Sequence, residues 1–494
     1  MRKLLLVLAA LVAVLVPGVG AYAGPSGPIP PYAAPAGLTA TEVSFTNGDT
    51  VLHGSVVRLA AGQTAAGQTA AGQTAAGQTA AGQTAAGQTA AAGTTVKHPG
   101  IVLVHGSGNA VRPQLAQEAE VFARAGIVTL IYDKRSDYDR SHRDYGDLAN
   151  DALAGVALLR GLPDVDPGKV GLWGLSEGGW VAPLAASRSS DVAFLITIGG
   201  SGLSPARTQA WNLNNRLAGN GVADATAAEL VASGMGLAVG LDQFPEAKHD
   251  PVEVLRAIHQ PVLAIWGERD LLVPPAESAA IFRRELIASP SVSIRILPGS
   301  SHAARVTTNG FDRVGGPTVG GFVMGELSPG YAGLMTSWIA AGYPSTIDAV
   351  PTQRTTSAAI EPVGVLGFGL FALLLLVLLS WPVTAVVRRL RGRRGRPAGA
   401  VPARLLVLAG LAATLLGTAY AIFVVASGGT SVHAAFLGQP LVWLLARVCL
   451  AVALTCGVLV ALAFRSAPSV RLGAVLAGGV LLIPYALGLG LLLP

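Results

Sequence analysis

The chain has 494 residues, 51% of them hydrophobic and 13% charged, with a formal net charge of +6. A mean hydropathy of +0.53 excludes a purely soluble protein. The basic excess does not mark a nucleic-acid binder, because Arg388, Arg389, Arg391, Arg393, Arg394, Arg396 and Arg404 crowd between two apolar stretches. At the start, Met1-Arg2-Lys3, the apolar run Leu4 to Val16 and the small-x-small triplet Ala21-Tyr22-Ala23 predict a secretory signal peptide over residues 1–23. Both cysteines, Cys449 and Cys456, fall in one C-terminal apolar segment, which leaves the preceding domain without a disulfide.

A domain is predicted over residues 38–342, opening with β structure from Glu42 to Val57. From Ala61 to Ala90 the pentapeptide Ala-Gly-Gln-Thr-Ala repeats six times in tandem. It offers no large apolar side chain to offset the entropy of ordering it, so a flexible insertion is expected. Gly100 to Val104 reads as a buried parallel strand running into the loop His105-Gly106-Ser107-Gly108. Next comes Tyr132-Asp133-Lys134-Arg135, charges placed to form a buried ion network.

The run Val170-Gly171-Leu172-Trp173 then ends in Gly174-Leu175-Ser176-Glu177-Gly178. Small residues two before and two after a serine let a strand turn sharply into a helix and expose the hydroxyl, which makes a nucleophile elbow. Strands are expected at Phe194 to Ile198 and at Pro261 to Trp266. The second ends near Asp270, ahead of Val273-Pro274; Asp242, Asp250 and Glu268 are its rivals as an acid. Val292 to Leu297 alternates like a last strand and leads to His302, with His249 and His259 as the competing bases.

A serine hydroxyl needs a neutral imidazole to take its proton and an acid to fix that imidazole's tautomer. Ser176, His302 and Asp270 fill those roles. The backbone N–H groups of Glu177 and Ser107 are the expected oxyanion hole. No His/Cys/Glu cluster has metal-ligand spacing and no phosphate loop is present, so neither metal nor cofactor is expected.

The order Ser, Asp, His, with each residue just past a strand, resembles the α/β-hydrolase superfamily over roughly residues 41–342. His105-Gly106-Ser107-Gly108, Tyr132-Asp133-Lys134-Arg135 and Gly174 to Trp180 look like its dienelactone-hydrolase and serine-aminopeptidase-like branches. The resemblance implies an α/β fold, an α/β-hydrolase sheet with a helical lid over residues 201–260, acting on a small-molecule or lipid-like acyl substrate. One departure is visible. Those branches continue Asp-Lys-Arg with Gly-x-Gly-x-Ser, whereas this chain reads Ser136-Asp137-Tyr138-Asp139-Arg140-Ser141. The first expectation is an ester or thioester hydrolase. A serine peptidase or aminopeptidase and a non-catalytic binding or sensor module are the alternatives, and Glu177 or the lid acids are candidates to hold a free amino terminus in a peptidase.

After a closing helix at Tyr331 to Ala341, a Pro-, Ser- and Thr-containing stretch over residues 343–362 reads as a linker. An all-α region with four transmembrane helices follows over residues 363–493: Val363 to Val387, Leu405 to Ala426, Leu441 to Ala463 and Leu472 to Leu493. Each suffices to cross a hydrocarbon core of ~30 Å. The arginine cluster, with Arg465 and Arg471, is expected in the cytoplasm, while residues 427–440 carry no Asp, Glu, Lys or Arg. The hydrolase domain then lies on the extracytoplasmic side of the cell membrane. Arg447 is the one charge inside the third span and lies close enough to its end to snorkel. If the helices only anchor the enzyme, truncation after about Pro351 leaves a soluble, active domain.

Overall fold

A computed structural model describes residues 32–65, 96–138, 143–319, 321–350, 352–353, 355–392 and 399–492. The expected signal peptide and the repeat beyond residue 65 lie outside the described residues. The chain divides into two compact units: residues 22–208 with 245–357, and residues 209–244 with 358–494.

In the first unit, β1 (Leu38–Asn47) and β2 (Thr50–Leu59) form a hairpin, followed by β3 (His98–Val104), α1 (Ala116–Arg124), β4 (Val128–Tyr132), α2 (Tyr145–Arg160), β5 (Val165–Leu175), α3 (Gly178–Arg188) and β6 (Leu195–Ile198). Helix α4 (Pro205–Gly219) leads out of this unit and α5 (Asp224–Gly240) follows it. The chain returns through α6 (Pro251–Arg256), β7 (Val262–Gly267), α7 (Pro275–Glu285), β8 (Val292–Leu297), a small β9 (Thr318–Val319) and β10 (Phe322–Val323) pair, and α8 (Tyr331–Ala340).

The eight-stranded sheet has the order β1-β2-β4-β3-β5-β6-β7-β8. Strand β2 runs antiparallel to its neighbours, and β3 to β8 are parallel. A parallel sheet is covered on both faces, so its strands read as unbroken apolar runs; every residue of β4 and of β7 is buried. One face packs against α2, α3, α6 and α7 through Tyr145, Val156, Val181, Leu255 and Phe282, and the other against α1 and α8 through Phe122, Ala123, Met335 and Trp338.

The first part of the expected linker is built into this unit. The Ile294 N–H donates to the Thr346 carbonyl at 2.8 Å, the Asp348 N–H donates to the Ile294 carbonyl at 2.9 Å, and Arg295 pairs with Asp348 at 2.9 Å. Residues 343–348 thus lie along the open edge of β8. The chain also leaves and re-enters the unit at neighbouring points, since the Ala206 N–H donates to the Ala247 carbonyl at 3.2 Å.

The second unit holds α9 (Val365–Leu390), α10 (Ala400–Ala426), α11 (Leu441–Ser466) and α12 (Val470–Gly488), four helices long and apolar enough to cross a membrane. Leu376, Val383, Leu408 and Val458 are exposed on their outer faces, as in helices that are apolar all round. The central part of the expected lid packs here. Gly234 of α5 meets the Ala421 carbonyl of α10 so closely that a Cβ would sit 2.3 Å from it. The Ser233 hydroxyl donates to the Leu489 carbonyl at 3.0 Å, and the Asn220 amide donates to the carbonyls of Gly429 and Val432 at 3.1 and 2.8 Å. Arg447 donates to the Gly490 carbonyl at 3.2 Å and is attracted by Glu229 of α5, whose carboxylate lies against Gly490. Its charge therefore finds partners within the protein.

Candidate active site

Ser176, Asp270 and His302 follow the C-terminal ends of β5, β7 and β8, the edge of a parallel sheet where ligands bind. Ser176 is held at φ 56°, a left-handed conformation that costs a non-glycine residue about 1–2 kcal/mol and marks a strained functional turn. The elbow needs its glycines. A Cβ on Gly174 would lie 2.1 Å from the Gly178 carbonyl oxygen, and one on Gly178 would lie 2.6 Å from the Val104 oxygen. The Ser176 N–H is fixed to the Ile198 carbonyl at 2.9 Å. The next residue of that strand end, Gly199, abuts the His302 ring, with its Cβ position 2.7 Å from Nδ1 and Cε1.

Asp270 is 2% exposed. Its Oδ1 accepts the N–H groups of Leu272 and Val273 at 2.8 and 2.9 Å, leaving Oδ2 for His302 Nδ1 at 2.8 Å. With Nδ1 donating to a carboxylate, Nε2 of the neutral ring is the acceptor. That buried Nε2 has no hydrogen-bond partner among the described residues, so the structure joins His302 to Asp270 but makes no hydrogen bond from it to Ser176. Two of the three rival acids are engaged elsewhere: Asp250 caps α6, and Glu268 accepts the Gly299 N–H.

The His105–Gly108 loop stands beside the serine, since the Cβ position of Gly106 is 3.4 Å from the Ser176 Cβ. Glu177 is the residue that opens α3, so its amide sits among the unsatisfied N–H groups of a helix start. His105 is structural. Burial and the nearby Lys134 charge hold its pKa down to about 3, so the neutral ring donates from Nε2 to the Tyr132 carbonyl at 2.7 Å.

Behind the elbow lies the ion network expected at Asp133, Lys134 and Arg135, reaching further than those three residues. The Glu177 carboxylate is bound by Lys134 at 2.7 Å, by Arg143 at 3.1 Å and by the Tyr138 hydroxyl at 3.0 Å. Burial pushes this carboxyl up, but the two cations and the hydrogen bonds outweigh it and hold it below the usual carboxylate range. An acid already neutralised in this way is not free to bind a substrate's amino terminus. Arg112 pairs with Asp133 at 3.1 Å, and Arg135 with Asp147 at 2.9 Å. Tyr138 and Arg143 had no sequence signal, because both sit in or beside the segment where the chain departs from the Gly-x-Gly-x-Ser pattern. Among the described residues no group of His, Cys, Asp and Glu could hold a metal ion.

Residues 113–314 match the prolyl oligopeptidase family. Among curated proteins, the chain is 33% identical over 109 residues to the quorum-quenching protein AidA of Acinetobacter baumannii, covering 21% of this chain and 36% of that protein. It is 31% identical over 105 residues to the thiohydrolase aneE of Aspergillus aculeatus, covering 20% and 33%. The chain thus spans about a third of the length of the curated relatives it matches. Among solved structures, the dienelactone hydrolase of Anabaena variabilis is similar at 18% identity and a TM-score of 0.34, over 62% of this chain and 97% of that one. The strand order and the elbow at Ser176, with the family match over residues 113–314, give this chain an α/β-hydrolase fold, followed by four helices long and apolar enough to cross a membrane.

Proposed function

We propose that the chain is a membrane-anchored serine hydrolase that cleaves an acyl ester or thioester through an acyl-enzyme on Ser176. The observation that carries this reading is the state of His302, whose Nδ1 is locked on Asp270 at 2.8 Å while its buried Nε2 makes no hydrogen bond among the described residues, Ser176 included, at the same sheet edge as the strained Ser176 turn. Nε2 takes the Ser176 proton as Oγ attacks the acyl carbon, and Asp270 stabilises the imidazolium that forms. The oxyanion is received by the N–H groups of Glu177 and Ser107, each such donor being worth ~10²–10³ in rate. Collapse of the tetrahedral intermediate expels the alcohol or thiol, to which His302 returns the proton. Water then attacks the acyl-enzyme by the same route, releasing the carboxylic acid.

The similarity to a thiohydrolase supports a thioester among the substrates. The prolyl oligopeptidase match favours a peptidase as the second reading; the neutralised Glu177 weighs against an aminopeptidase that uses this acid. Fluorophosphonate labelling of the membrane-bound protein tests the chemistry. Labelling is expected in the wild type, to vanish in Ser176→Ala and to fall sharply in His302→Ala and Asp270→Asn. A folded wild type that stays unlabelled overturns the reading. Hydrolysis of p-nitrophenyl esters and acyl thioesters, set against aminoacyl p-nitroanilides, separates the two substrate classes.

Charge bias supports an extracytoplasmic hydrolase domain, with Arg388 and Arg389 in the last turn of α9, Arg391 following it, and Arg465 and Arg471 flanking the turn from α11 to α12. A cysteine introduced at the exposed Lys169 is expected to react with a membrane-impermeant maleimide in intact cells. Reaction only after lysis reverses the orientation.

A further inference from the structure

Three segments that are distant in sequence converge on one buried ammonium. Lys134 Nζ donates to the Gly106 carbonyl at 2.6 Å and to Glu177 Oε1 at 2.7 Å, and it sits 4.0 Å from the centre of the Tyr138 ring. Its side chain is 5% exposed. Two of its three N–H groups are thus spent on oxygens, and the ring face lies beside it as a cation–π partner.

The two oxygens belong to the two halves of the expected oxyanion hole. The Gly106 carbonyl and the Ser107 N–H are opposite ends of one planar trans peptide. Fixing the carbonyl on Lys134 aims the N–H the other way, and a cation at the oxygen polarises the amide and strengthens its donor end. The Glu177 carboxylate shares its residue with the second donor. It also carries the Tyr138 hydroxyl, which accepts the Gly108 N–H at 3.3 Å, so the far end of the same loop is tied to the same carboxylate. We propose that Lys134 is the positioning residue of the oxyanion hole, holding the Gly106–Ser107 peptide and the Glu177 turn in register through one ammonium. This inference rests on the serine-hydrolase reading above.

Charge balance alone does not call for this lysine. Arg143 and Tyr138 already satisfy the Glu177 carboxylate, and burying a further cation is expensive unless each of its donors is used. The bond to the Gly106 carbonyl contributes nothing to neutralising Glu177. With Lys134 and Arg143 against Glu177, the cluster keeps one net positive charge behind the elbow, the sign that favours a developing oxyanion.

The test uses the full-length protein in detergent, p-nitrophenyl acetate as substrate and phenylboronic acid as a probe that becomes a tetrahedral anion on the serine. Lys134→Met is expected to lower kcat by about 10–10²-fold, part of what a lost oxyanion donor costs, with KM changed less than threefold. The affinity for phenylboronic acid is expected to fall with kcat. The double variant Lys134→Met/Glu177→Gln removes the cation together with its carboxylate partner. It carries the test if the single variant does not fold, as judged by thermal unfolding. A folded double variant that keeps the loss supports the positioning role; one that returns to wild-type kcat makes Lys134 a mere counter-ion and overturns it. A single variant with wild-type kcat and boronate affinity also overturns it. Fluorophosphonate labelling of the wild type keeps the two questions apart: no labelling refutes the hydrolase reading, whereas normal labelling with unaffected Lys134 variants refutes this inference alone.

Discussion

Gly199 is where the geometry makes its sharpest demand on the imidazole. A Cβ at this position would lie 2.7 Å from His302 Nδ1 and Cε1 and 2.8 Å from the His302 carbonyl oxygen. Ordinary contact needs about 3.5 Å, so Gly199→Ala requires a shift of roughly 0.8 Å, and one of the crowded atoms is backbone that yields poorly. The ring is the part free to move, and it moves away from an Asp270 bond of 2.8 Å. The residue also sits at φ 57°, where alanine costs about 1–2 kcal/mol. A misplacement of ~1 Å in a catalytic group costs about 10²-fold in rate. Gly199→Ala is therefore expected to lower kcat for p-nitrophenyl acetate by about 10²-fold while the protein stays folded, with about 1–3 kcal/mol lost to overpacking. Steady-state kinetics beside thermal unfolding checks both halves. A variant with kcat within twofold of the wild type would mean that His302 is not the base, or that its position is not set by this strand end.

Asp270→Asn is expected to lower kcat by about 10⁴-fold with little loss of stability. Its amide oxygen still accepts the Leu272 and Val273 N–H groups, turning the NH2 toward Nδ1 and forcing the proton onto Nε2; kinetics and thermal unfolding together check this. His105 protonates near pH 6.5 when unfolded and near 3 when folded. Its contribution to stability is then complete above pH 6.5 and lost as pH falls toward 3. His105→Gln, which keeps a donor for the Tyr132 carbonyl, is expected to flatten the fall in melting temperature over that window, and an unchanged profile counts against it. Truncation after Ser357 removes the carbonyls that hold Asn220 and the helix that receives Gly234. The truncated chain is expected to pellet without detergent, whereas one that also has residues 209–244 replaced by a short Gly/Ser linker is expected to stay soluble. A soluble, monodisperse simple truncation would restore the view of the helices as a plain anchor.

The placement of Ser176, Asp270 and His302 just past the ends of β5, β7 and β8 is legible because each is written locally, as a buried-strand pattern followed by a turn with few acceptable residues. Gly174 is dictated by a backbone contact inside the pentapeptide's own turn, with the Gly178 carbonyl, whereas Gly178 is dictated by the backbone of Val104 and His105 at the end of β3. Lys134 was legible only as a charge after a strand, since its partners Gly106 and Glu177 are 28 and 43 residues away. Residues 343–348 carry a linker's composition because an edge strap bonds through its backbone, and Ile294 reads the Thr346 carbonyl whatever side chain stands there. The four apolar helices appear where hydropathy puts them. The packing of α5 against α10 had no local sign, because small residues such as Gly234 allow close approach without naming a partner.

The union of residues 209–244 with the C-terminal helices also sets a clock for biosynthesis. Gly234 and Ala421 are separated by 421 − 234 = 187 residues. At ~5–20 residues per second of translation, α5 waits about 10–40 s for its partner. During that interval Glu229 has not met Arg447, and the hydrolase sheet, whose last strand ends at Leu297, has all its strands while the inserted segment still lacks its seat. The nascent protein thus passes through a stage with a finished sheet and an unhoused apolar helix. That stage is the natural point for chaperones and membrane proteases to sort it.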